Sequence, residues 1–149
     1  MKTQTIVKCT LWVNRLVMAV VAVLIFTLPW LLNWYAALLG YHPPKGDLWG
    51  IWLSYIGSAA VIFVALWNME KLMKNILVGK VFVRENVARV RRVQLCCGVV
   101  AVICLVSTVF ALPMVLFAAI MGFLCLAVSV LANVLDAAVA LQEENDLTI

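Results

Sequence analysis

Apolar positions in this chain come in long unbroken blocks and do not alternate with polar ones. Charge-free runs cover residues 16–44, 48–69 and 93–135, which are 29, 22 and 43 residues long. About 20 apolar residues in a helix cross a hydrocarbon layer about 30 Å thick. The first two runs therefore read as one span each. As a single helix the third run would be about 65 Å long, so it must turn back. Pro113, near its middle, marks the turn, because proline is accommodated at a helix start but not within a helix. The pattern predicts an all-α, four-helix bundle in a membrane, a single domain over 1–149 with spans at about 12–37, 49–69, 94–111 and 114–135.

Helical periodicity outlasts the spans. Met69, Leu72, Met73, Ile76 and Leu77 fall at i, i+3, i+4, i+7 and i+8, one apolar stripe, with the Glu70/Lys74 i,i+4 pair on another face. Gly79 supplies a left-handed stop. Beyond Phe82, Val87, Val90 and Val93 repeat while Arg84, Arg89, Arg91 and Arg92 take other faces, so a new helix runs into the third span. Leu131, Leu135, Ala138 and Leu141 carry the fourth helix toward the acidic tail 142–149. Three helix ends thus leave the membrane on one side, with Phe82 of loop 70–92 expected to plug between them. Glu143, Glu144 and Asp146 arrive beside the arginines, and Leu147 and Ile149 are expected to cover the apolar seam. Exposed ion pairs contribute only about 0–1 kcal/mol each, so the expected gain is register and specificity.

Charge sets the orientation. Ten of the eleven Lys and Arg residues fall in the N-terminal segment and loop 70–92, and only Lys45 falls in the first outer loop. The asymmetry of Lys and Arg in loops places both termini and the middle loop in the cytoplasm, and the expected location is a bacterial inner membrane. Trp30, Trp34, Tyr35, Tyr41, Trp49, Trp52 and Tyr55 form an outer aromatic belt, and Trp12 and Trp67 an inner one. The first span lacks a clean small-residue cleavage site and reads as a retained helix, not a signal peptide. With 66% apolar and 12% charged residues and a mean hydropathy of +1.11, a soluble domain is excluded.

Catalytic chemistry finds little foothold. His42 stands alone in "GYHPPKGD", whereas a metal site needs three or four ligands; no HExxH, nucleophile elbow or phosphate loop occurs. The expectation is no enzyme, no metal and no cofactor. Cys96 and Cys97 lie at the inner end of the third span, away from an oxidising face, so thiol–disulfide chemistry is not expected and the cysteines read as small apolar side chains. A small-molecule or ion transporter is the rival reading. Ser129, Asn133 and Asp136 line one helix face, but Asp136 falls near the inner interface, about 33 Å along the helix from Pro113, and is expected to pair with Arg15 or an arginine of the third helix in a polar seam. Small residues (Ser54, Gly57, Ser58; Ala118, Gly122, Cys125, Ser129) allow close helix approach, within one chain or across a homodimer. The basic loop suits the anionic bilayer surface. Direct nucleic-acid binding is not expected, because the arginines abut the membrane without aromatic stacking partners.

Two stretches carry a resemblance. "GKVFVRENVARVRRV", followed two spans later by "ALQEENDLTI", resembles the YoaS-like family of small bacterial four-helix membrane proteins of unknown function. The likeness falls on Gly79, Phe82, Asn86, Arg91 and Glu144 through Ile149. Val81 stands where that family's pattern has proline, and Val83 where a capping Ser or Thr is common. The resemblance implies a non-enzymatic membrane protein, encoded beside a helix-turn-helix regulator. The reading is a regulator or sensor whose partner-binding platform comprises Phe82, Asn86, Arg89, Arg91, Arg92, Glu144, Asn145 and Asp146. Asn86 and Asn145 are suited to cap or cross-link the loop and tail, since each offers donors and acceptors together.

Overall fold

The computed structural model describes residues 2–38, 45–110 and 112–147. The protein is all-α: α1 (Lys2–Leu38), α2 (Lys45–Leu77), α3 (Arg84–Ser107) and α4 (Met114–Leu147), with no strand among the described residues. All four helices are long and apolar enough to cross a membrane, and this is a multi-pass membrane protein. The His42 loop, Thr148 and Ile149 lie outside the described residues, as do the side chains of Asp146 and Leu147.

Local sequence explains where the helices end. α2 stops in a Schellman turn: Lys80 N–H donates to Asn75 C=O (2.9 Å) and Gly79 N–H to Ile76 C=O (3.0 Å). That turn needs a left-handed residue, and Gly79, at φ +81°, is the only described residue with positive φ. α3 begins after Val83, which is extended and makes no side-chain cap. Between α3 and α4, Phe110 N–H donates to Ser107 C=O at 3.0 Å and Leu116 N–H to Pro113 C=O at 3.2 Å. Because α4 has 34 residues, it is about 51 Å long and outreaches a hydrocarbon layer of about 30 Å. Its charge-free part ends at Leu135, and the helix continues from Asp136 to Leu147 with its four charges.

The helices pack in chain order: α1 on α2, α2 on α3, and α3 on α4. Among the described residues, α1 makes no close backbone approach to α3 or α4. α3 is the shortest helix and supplies the most buried face, with Val87, Val90, Val93 and Val100. Ala118, Ala132 and Val139 of α4 meet it, while Leu11 and Met18 of α1 bury against α2, which contributes Ala59 and Met73. Close approach uses small residues, as at Gly98, where an added Cβ would lie 3.5 Å from Cys125 Sγ. Large apolar side chains such as Trp12, Phe26, Leu53 and Phe123 point outward, the arrangement lipid as solvent permits. A cleft of about 270 Å³, lined only by apolar and sulfur-bearing side chains, lies where α2, α3 and α4 meet.

Candidate functional site at the basic end

Antiparallel packing brings the start of α1, the end of α2, the start of α3 and the end of α4 to one end of the molecule. The loop between α2 and α3 is shaped by Asn86, which is fully buried. Its Nδ2 donates to the carbonyls of Lys80 (2.7 Å) and Val81 (2.8 Å), and its Oδ1 accepts from Asn75 Nδ2 at 2.9 Å. Both donors and an acceptor of one amide are thereby spent, tying the loop to α2 and to the first turn of α3. The order that Val83 cannot give as a cap comes instead from a side chain three residues later.

α3 and α4 are joined by a charge network with matching spacing. Arg84 and Arg91 are seven residues apart, as are Asp136 and Glu143, so each pair spans two turns of its helix. Arg84 forks onto Glu143 through Nε (3.0 Å) and Nη2 (2.7 Å), and its Nη1 reaches Asp136 at 3.1 Å. Arg91 Nη2 donates to the other Asp136 oxygen at 2.7 Å. The Arg84 guanidinium holds the Glu143 carboxyl below the usual glutamate range. Arg89 turns the other way: it donates to Lys71 C=O on α2 (2.7 Å) and pairs with Glu85 (2.5 Å).

The α1–α2 joint is built differently. Arg15 Nη2 and Lys74 Nζ both reach the same oxygen of Glu70, at 3.0 and 2.8 Å. Glu70's side chain is 12% exposed, while those of Arg15 and Lys74 are each 54% exposed. Buried Asn14 donates to Leu66 C=O at 3.2 Å. Lys71 Nζ lies 5.5 Å from the centre of the Trp67 ring, within the range of cation–π attraction.

The expected platform residues therefore do different things. Asn86 is a structural clamp, and Arg89 and Arg91 are engaged within the chain. Arg92, Glu144 and Asn145 are exposed. Phe82 does not plug the helix ends: it is 49% exposed, and Asn86 is buried there beside Met73, Val87 and Val139, its amide inside to reach two loop carbonyls. Of the seam residues, Asp136 pairs with Arg84 and Arg91 of α3 and not with Arg15. Ser129 is half-buried and Asn133 exposed. Sequence reading missed the Arg15–Glu70 pair, although each charge flanks a charge-free run. All five cysteines are free, and among the described residues no group of three His, Cys, Asp or Glu is placed to hold a metal ion.

A family model described as "Protein of unknown function (DUF2975)" matches residues 34–149, from the last turn of α1 through both resemblance motifs. Neither the curated proteins nor the solved structures contain a match.

Proposed function

The chain belongs to this family of proteins of unknown function, and we propose that it is a non-catalytic regulator or sensor of the bacterial inner membrane whose basic end docks a soluble cytoplasmic protein. The observation that carries this reading is the clamped loop. Asn86 and the Gly79 turn fix residues 78–83, yet Val78 and Phe82 point outward, 75% and 49% exposed. A fixed loop with two exposed apolar tips is preorganised for a partner, since little conformational freedom is lost on binding. Lys80 between them and the acidic tail beside them supply opposite charges for orientation. The cytoplasmic placement rests on the clustering of Lys and Arg at this end. A helix-turn-helix regulator, which the resemblance implies, is the partner class to test first.

The transport reading would route substrate past Asp136 and Asn133. No observation favours it, since Asp136 is held by two guanidiniums at the basic end.

The test is capture of the intact protein from mildly solubilised native membranes, with bound proteins identified by mass spectrometry. A DNA-binding regulator is expected with the native chain and not with the Val78→Asp/Phe82→Asp variant. Both side chains are outside the packed interior, so the variant retains its helicity by circular dichroism. Identical protein sets with native and variant chains would overturn the platform.

A further inference from the structure

The basic end is not uniformly basic. On α3 and the end of α4, four arginines (84, 89, 91 and 92) are outnumbered by five carboxylates, Glu85, Asp136, Glu143, Glu144 and Asp146, a formal charge of −1. On α1 and the end of α2, Lys2, Lys8, Arg15, Lys71 and Lys74 stand against a single carboxylate, Glu70, a net of +4. The surplus thus lies on the helix pair outside the arginine-rich stretch.

Its placement is ordered. Lys8, Trp12 and Arg15 recur at i, i+4 and i+7 on α1, and Trp67, Glu70, Lys71 and Lys74 at i, i+3, i+4 and i+7 on α2, one face of each helix. The Arg15–Glu70 pair joins the two faces. Glu70 spends Nε and Nη2 of Arg15 and one donor of Lys74, leaving Arg15 Nη1 and further lysine hydrogens for another acceptor. Depth is set by sequence: Arg15 directly precedes the first charge-free run, and Glu70 directly follows the second. Trp12 and Trp67, 71% and 49% exposed, mark the same level, the headgroup boundary that tryptophan favours. Towards the span the neighbours are the exposed apolar Leu16, Val17 and Val64.

We propose that this α1–α2 face binds the headgroup phosphate of an anionic phospholipid, with Arg15, Lys71 and Lys74 as donors, Glu70 positioning two of them, and the acyl chains lying along the exposed apolar side chains. A phosphate diester matches a surplus of donors held at headgroup depth. An acidic soluble protein would have to reach past the boundary to use them. The site is independent of the docking platform, sharing neither Phe82 nor Val78 with it.

The test uses the full chain in detergent, offered phosphatidylglycerol and phosphatidylcholine in equal amounts, with bound lipid counted by native mass spectrometry. The native chain is expected to prefer phosphatidylglycerol. Lys71→Gln/Lys74→Gln lowers that preference about 25-fold, at roughly fivefold per cation near the surface. Lys80→Gln/Arg92→Gln removes equal charge from the loop and α3 and leaves the preference within about twofold, because neither side chain belongs to the site. The proposal fails if the native chain shows no preference, or if both double variants lose it equally, which would make the attraction diffuse. It also fails if inorganic phosphate displaces the lipid from the native chain, which would make the ligand a free anion, or if an acidic soluble protein is retained there in place of lipid.

Discussion

The α1–α2 and α3–α4 joints use the same chemistry to different ends. Each ties an early helix to a later one by an arginine–carboxylate pair that lies outside the charge-free runs. At α3–α4, two arginines meet two carboxylates at a matched seven-residue spacing, and every oxygen of Asp136 and Glu143 accepts a hydrogen bond. At α1–α2, two cations share one oxygen of Glu70, and Lys71 adds a third with only a tryptophan ring for company. A balanced joint spends its charge on holding helices in register. An unbalanced one holds them with part of its charge and leaves the rest for a ligand.

The largest effect should come from the loop between these joints. Asn86→Leu keeps the volume but leaves two loop carbonyls and the Asn75 amide without their partner, and should destabilise the protein by about 2–3 kcal/mol in detergent unfolding curves. If the cost is small, the loop is not held by Asn86 and the docking reading loses its basis. Breaking the joints should cost less. Asp136→Asn and Glu70→Gln are each expected to lower stability by about 1 kcal/mol, because their arginine and lysine partners are largely exposed. The sharper outcome is in lipid retention: Asp136→Asn/Glu143→Gln leaves the α3–α4 side with a cation surplus and should confer a preference for phosphatidylglycerol there.

Acid offers a graded version of the same break. Glu143's folded-state carboxyl titrates below its unfolded value because Arg84 favours the charged form. Its contribution is therefore complete above the unfolded value, about 4.3, and is lost as pH falls through the lower folded one. Hydrogen exchange over 136–147 should quicken as pH drops through that window, after correction for intrinsic rates. Glu143→Gln should exchange quickly at neutral pH and show less of the acid step. The smallest effect belongs to the opposite end of the helices. A Cβ at Gly50 would come within 2.7 Å of the Phe110 ring tip. That ring is 40% exposed and can swing, so Gly50→Ala should cost about 1 kcal/mol or less, relieved by Phe110→Leu.

The helices were legible because their causes are local. Blocks of apolar residues, Pro113 and Gly79 each act within a few positions, and the apolar stripes past Met69 and Leu131 announced helices that continue to Leu77 and Leu147. What stayed hidden depends on register between helices. No pattern in one strip of sequence says that Arg84 lies opposite Glu143 and not Glu144, or that Arg15 meets Glu70 and not Asp136. Phe82 was misread for a related reason. Hydrophobicity favours burying the ring, but the carbonyls of Lys80 and Val81 needed an amide inside more than a ring. The excess of cations over carboxylates on α1–α2 is present in the sequence, yet it appears only once Arg84 and Arg91 are matched with Asp136 and Glu143.

The cross-helix pairs also share a direction in time. In each, the cation is synthesised first: Arg15 precedes Glu70 by 55 residues, Arg84 precedes Asp136 by 52 and Glu143 by 59, and Arg91 precedes Asp136 by 45. Through residue 92 the sequence carries eleven cations and three acids, a formal +8, whereas residues 93–149 carry four acids and no cation. From then on, translation adds only negative charge. The acids that pin α4 to α3, Asp136 and Glu143, are made after both arginines they meet, so the joint can close only once residues 136–143 have been added.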